Sequence, residues 1–112
     1  MEQQEELQLA VIDQYLMIKM PEEVDHHSAA DIRMKADIMI MQEPVRNIVF
    51  DFEDTTFMDS SGIGLIVGRY TKVSCFGGKV FAINAKQRIK RILSAPNLVN
   101  IVTVITERKI EE

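Results

Sequence analysis

The chain carries a single cysteine, Cys75, so it can form no disulfide within itself, and nothing in it resembles a thiolate metal site with paired spacing. A reducing cytoplasm is the compartment that fits this usage. The only two histidines, His26 and His27, are adjacent, and neighbours on a helix point about 100° apart, which is poor geometry for holding one metal jointly. No metal site is expected. Positive charge is also in short supply, with 13 Lys and Arg against 17 Asp and Glu and a formal net charge of -4. That balance argues against a general nucleic-acid binder, which needs a basic face. The one basic cluster, Lys86, Arg88, Lys90 and Arg91, reads as the solvated face of a short amphipathic helix. No apolar run reaches the ~20 residues that span a bilayer. Glu2-Gln3-Gln4-Glu5-Glu6 stands where a secretory leader would carry a basic region and an apolar core, so neither secretion nor membrane insertion is expected. There is no internal repeat and no low-complexity linker.

What is present is a hydrophobic content of 46% in 112 residues, enough for one core and not for two. The reading is a single domain over 1–112, with its core at about 7–105 and a short tail at 106–112. Leu7, Leu9 and Val11 alternate with polar or small residues, Asp13-Gln14 offers a turn, and Tyr15 to Met20 resumes as a second strand, which together predict a hairpin. Pro21 breaks that strand. Asp25 can cap a helix whose apolar positions Ala29, Ile32, Ala36, Met39 and Ile40 recur at helical spacing up to Pro44. A strand over Val45–Phe52, a helix from about Ser60 to Phe76 stopped by Gly77-Gly78, and a strand over Lys79–Ile83 follow. A helix over Lys86–Ala95 and a β-branched strand over Ile101–Ile105 complete the pattern. Helical crossovers between successive strands give an α/β fold with a mixed, largely parallel five-stranded sheet whose antiparallel edge is the hairpin.

The run Phe57-Met58-Asp59-Ser60-Ser61-Gly62-Ile63-Gly64 places two hydroxyls beside an acid at a strand-to-helix corner. With Asp59 as N-cap, Ser60 and Ser61 fall in the first turn, where free backbone N–H groups and the helix dipole tolerate an anion. Two readings stand side by side: Asp-Ser-Ser as a cap and nothing more, or Ser60 as a regulatory phosphoacceptor. Asp51, Glu53, Asp54 and Asp59 are read as crowding the same region, so about 1.5 to 2 added negative charges would change the potential a partner meets. Gly62, Gly64 and Gly68 match neither the dinucleotide fingerprint nor the Walker pattern, and are read as permitting close packing or a partner's approach. A serine hydrolase is disfavoured, because the nucleophile elbow needs glycine where Met58 stands. Met34, Met39 and Met41 read as core filler ahead of any adaptable binding face.

Asp25-His26-His27-Ser28-Ala29, the run Phe57 to Gly64, and Gly68-Arg69-Tyr70 together resemble the anti-sigma factor antagonist family of STAS domains, over about Leu7 to Ile105. Within it they most resemble the sporulation branch that acts on the anti-sigma F factor. The resemblance implies a non-enzymatic, cytoplasmic module, monomeric when free, with no cofactor of its own. In its unphosphorylated form it would bind an anti-sigma factor that is also a serine kinase, releasing the sigma factor. The kinase, carrying ATP or ADP, would phosphorylate Ser60, and a serine phosphatase would reverse this. Asp59, Ser60, Ser61, Gly62, Ile63 and Arg69 would lie in or beside the docking surface, with Glu23 and Asp25 approaching from the neighbouring loop. Direct contact with nucleic acid or membrane is not implied. Two departures stand out: Glu22 occupies a position where relatives usually carry glycine, and relatives end in a longer amphipathic helix than residues 106–112 can form. The alternatives are an antagonist of the general stress-response branch and a STAS subunit of a transport system.

Overall fold

The computed structural model describes residues 8–106 of the chain. β1 (Gln8–Ile12) and β2 (Tyr15–Lys19) form the expected hairpin, and its two-residue turn has positive φ at both Asp13 (49°) and Gln14 (71°). A turn of that kind matches the right-handed twist of the strands it joins. β4 (Asn47–Asp51) pairs parallel with β2, β6 (Val80–Ile83) parallel with β4, and β7 (Val102–Ile105) parallel with β6. The sheet order is therefore β1-β2-β4-β6-β7, five strands with one antiparallel pair, as the sequence predicts.

Three helices make the crossovers: α1 (His26–Gln42), α2 (Ser60–Ser74) and α3 (Gln87–Leu93). Each connection steps the same way across the sheet, so right-handed crossing puts all three on one face. Leu16 and Ile18 of β2, Ile48 and Phe50 of β4, and Val80 and Ala82 of β6 point into that layer. There they meet Ala29, Ile32 and Ala36 of α1, Leu65, Ile66 and Val73 of α2, and Ile89 and Leu93 of α3. α2 stops where Gly77 takes a φ of +85°, a conformation that a residue with a Cβ reaches only under strain.

The sequence reading missed two short strands. β3 (Glu23–Val24) and β5 (Phe57–Met58) form a separate parallel pair, with Glu23 opposite Phe57 and Val24 opposite Met58. Both read as loop, because two residues are too short for a period to show. The methionine expectation needs correction. Met39 packs against the core, but Met34 is 55% and Met41 82% exposed. Apolar residues run round most of α1, and only the side bearing Ala29, Ile32 and Ala36 can meet the sheet. The expectations for Leu7 and for the tail beyond Thr106 lie outside the described residues.

Candidate functional site

Each strand of the small pair runs directly into a helix. Val24 is followed by Asp25, the N-cap of α1, and Met58 by Asp59, the N-cap of α2. Because Val24 and Met58 are register partners, the two caps lie side by side and both helices begin at the same level. The Asp59 amide donates to the Val24 carbonyl at 3.1 Å, and the Thr56 amide donates to the Glu22 carbonyl at 2.8 Å. The Glu22–Asp25 segment is thus stitched to the chain entering α2.

Each aspartate caps its own helix. The Ser28 amide donates to Asp25 Oδ1 at 3.0 Å, and the Asp25 amide donates to Ser28 Oγ at 2.9 Å, a reciprocal box in which serine fills the usual Glu or Gln role. The Ser28 hydrogen bonds hold the Asp25 carboxyl below its ordinary range. On α2, the Ser61 amide donates to Asp59 Oδ1 at 2.8 Å. Ser60, the first residue of α2, is exposed, while Ser61 and Ile63 are partly covered.

Gly62 lies beneath the corner. A Cβ there would press into Met58 Cγ and lie 2.6 Å from Met58 Sδ and 3.0 Å from Val24 Cγ1. A side chain at 62 would therefore wedge α2 away from the small sheet. Gly64 and Gly68 have open space where a Cβ would stand. The close-packing explanation therefore holds for Gly62, and the other two leave α2 bare.

The acids divide differently from the sequence reading. Asp51, Glu53 and Asp54 gather around Lys19 Nζ, at 3.8, 2.9 and 3.8 Å. Lys19 and Asp51 are register partners on adjacent strands, which brings the ammonium to the start of the β4–β5 loop. The hydrogen bond to Glu53 raises the Lys19 pKa. The acids built into the corner itself are Asp25 and Asp59.

Arg69 is set apart from the corner. It lies nine residues beyond Ser60, about 13 Å along the axis of α2. Its guanidinium is buried at 4% exposure against Asp37 of α1, with Nε 3.3 Å from Asp37 Oδ1. Burial lowers its pKa, and the Asp37 carboxylate opposes that shift. Helical periodicity explains the placement, since 62, 65, 66, 69 and 73 all face inward.

Three supports of the corner escaped the sequence reading. Thr55 is fully buried, and its hydroxyl donates to the Pro21 carbonyl at 2.8 Å. At the start of α3, the ammonium of the N-cap residue Lys86 donates to the Glu53 carbonyl and Arg88 Nη1 reaches the Thr56 carbonyl at 3.5 Å. Part of the basic cluster read as a solvated face thus binds the loop that leads to Ser60. No signal in the sequence marks these donors, because carbonyl acceptors carry no residue type.

The site is thus a corner of a small α/β domain where two capped helix ends meet, with an exposed serine at the first position of α2. The STAS domain model matches residues 6–112, and the chain belongs to that family. Within it the chain is similar to anti-sigma factor antagonists. It is 32% identical over 80% of its length to the anti-sigma F factor antagonist of Paenibacillus polymyxa, covering 76% of that protein. It is 26% identical to the anti-sigma-B factor antagonist of Bacillus subtilis, with 80% of each chain covered. Its fold is similar to that of SpoIIAA. Against the unphosphorylated form the TM-score is 0.74 at 27% identity, covering 92% of this chain and 90% of that one. Against the phosphorylated form of the Bacillus protein it is 0.72 at 31% identity, covering 91% and 93%.

Proposed function

We propose that this chain is an anti-sigma factor antagonist whose binding is switched by phosphorylation at Ser60. The observation that carries the proposal is the exposed Ser60 at the first turn of α2, beside a second capped helix end. Likeness to a protein with both phosphorylated and unphosphorylated structures supports it. Unphosphorylated, the corner made by Glu23, Asp25, Asp59, Ser60, Ser61 and Ile63 docks on an anti-sigma factor that is also a serine kinase, and the sigma factor is released. The kinase supplies ATP, a serine phosphatase reverses the modification, and the chain itself is a cytoplasmic binding module that turns nothing over. Gly62 contributes by letting α2 seat closely.

The switch acts through charge. A phosphate at Ser60 adds about 1.5 to 2 negative charges at a helix N-terminus that accepts an anion without unfolding. At an interface the same dianion must shed hydration and meet the caps' own carboxylates, a cost of several kcal/mol. The relation to the P. polymyxa protein favours the sporulation branch, and the B. subtilis relative keeps the general stress response as the second reading.

The test is intact-mass analysis with peptide mapping after incubation with the anti-sigma kinase encoded in the same genome and ATP. One phosphate on Ser60 supports the switch. An unmodified chain, with the kinase shown active on another substrate, removes it and favours the transport-subunit alternative.

A further inference from the structure

The outer side of α1 carries a stripe that neither the core nor the corner uses. Met34, Ile38 and Met41 are spaced at i, i+4 and i+7 and are 55%, 46% and 82% exposed. They border a groove of about 660 Å³ along the α1–α2 seam, which Arg33, Asp37 and Arg69 also line. A second groove of about 320 Å³ adjoins it towards the corner, lined by His26, Ser61 and Gly64 among others. Ala30 and Arg33 border both, so the seam is one continuous track from the first turn of α2 to the far half of α1. Gly64, where a Cβ would meet nothing, keeps that track open.

The seam's polar groups are not balanced. Asp31 pairs with Lys35 at 3.6 Å and Asp37 with Arg69, whereas Arg33 forms no ion pair among the described residues. The buried Arg69 is turned to Asp37, Nε facing Oδ1 at 3.3 Å, so its charge is met within the seam and Arg33 is the exposed cation left over there. The Arg33 charge also acts repulsively on Arg69, so the seam holds two guanidiniums of which only Arg69 has a carboxylate beside it. A negatively charged group arriving beside the apolar stripe would complement Arg33.

We infer that the α1–α2 seam is a second docking surface for the protein partner that engages the Ser60 corner, seating an amphipathic helix whose apolar side chains cover Met34, Ile38 and Met41 and whose carboxylate pairs with the exposed Arg33. The inference rests on the proposed function, since it extends the same interface. Methionines suit such a surface because their unbranched, polarizable side chains repack around a partner. The corner reads the phosphorylation state, and the seam adds affinity that does not depend on it.

The experiment titrates the anti-sigma kinase from the same genome into chain labelled with ¹³C at its methionine methyl groups. It compares wild type with Met34→Lys/Met41→Lys, whose exposed positions leave the fold intact, as thermal unfolding verifies. The Met34 and Met41 methyl signals should shift while that of buried Met20 stays, and the double variant should bind about 10-fold more weakly. Wild-type binding that Ser60→Asp weakens, with the two methyl signals unmoved or the double variant within about twofold of wild type, overturns the seam and leaves the switch standing. No wild-type binding at all overturns the proposed function and the seam with it. A self-associating chain whose dimer the double variant abolishes assigns the stripe to a second copy and overturns the inference.

Discussion

The Asp59 amide is held 3.1 Å from the Val24 carbonyl, so the cap of α2 is fastened to the residue just before the cap of α1. Sequence distance between them is large, yet one backbone hydrogen bond makes the two helix ends a single rigid corner. A charge placed on Ser60 is then presented beside Asp25 as well as Asp59, whatever partner approaches.

Replacing Ser60 separates charge from shape. Ser60→Ala removes only a hydroxyl, and binding to the unphosphorylated-state partner should persist and resist switching by kinase and ATP. Ser60→Asp brings one charge on a short side chain and should weaken binding roughly 10- to 100-fold, less than a phosphate does. Calorimetric titration with the kinase reads both. Equal affinity for Ser60→Asp and wild type would count against an electrostatic switch.

The glycines of α2 should behave oppositely. Gly62→Ala drives a methyl into Met58 and Val24, and overpacking of this kind costs about 1–3 kcal/mol, against a gain of roughly 1 kcal/mol in helix propensity. Net destabilisation in urea unfolding is expected. Gly64→Ala meets no atom, so it should be neutral or stabilising by up to ~1 kcal/mol. A destabilised Gly64→Ala would mean that the seam is narrower than its open geometry indicates.

Breaking the buried pair should be asymmetric. Asp37→Ala leaves the Arg69 guanidinium enclosed and uncompensated. The cost should be about 1–3 kcal/mol, below the ~3–5 of a fully enclosed pair because 31% of the Asp37 side chain stays in water. Arg69→Met instead leaves a carboxylate that water can reach, and should cost less. The double variant Asp37→Ala/Arg69→Met should recover part of the Asp37→Ala loss in denaturant unfolding. Strict additivity of the two changes would show that the pair does not interact.

The Asp25 cap gives stability an acid limb. Its folded-state pKa lies below the ordinary 3.8 because Ser28 stabilises the charged form. Its contribution is therefore complete above that ordinary value and disappears as pH falls through the depressed one. Asp25→Asn keeps an acceptor but no titrating charge, so the fall in melting temperature across that acid window should be shallower than in wild type. Parallel curves for the two proteins would remove Asp25 as a source of the acid limb.

The succession of the five longer strands, the helix positions and both caps were legible in the sequence. Apolar alternation in β1 and β2, the β-branched runs of β4 and β7 and the Asp-x-x-Ser and Asp-Ser-Ser caps are local patterns with local causes. The corner was half legible: Ser60 at the first turn of α2 followed from Asp59, and the approach of Glu23 and Asp25 was expected only by resemblance. The pairing that produces it, β3 with β5, is two residues long and leaves no period.

The sequence by itself determined which segments become strands and helices, because the spacing of apolar side chains and the choice of capping residue act within a few positions along the chain. Tertiary structure alone decided how distant positions use their chemistry. Three acids gather on Lys19, Lys86 and Arg88 serve backbone carbonyls, Gly62 is required while Gly64 is free, and Arg69 turns inward to Asp37. Each of these depends on what packs across from a residue, and that partner is set by sheet register and helix crossing, which no local window contains.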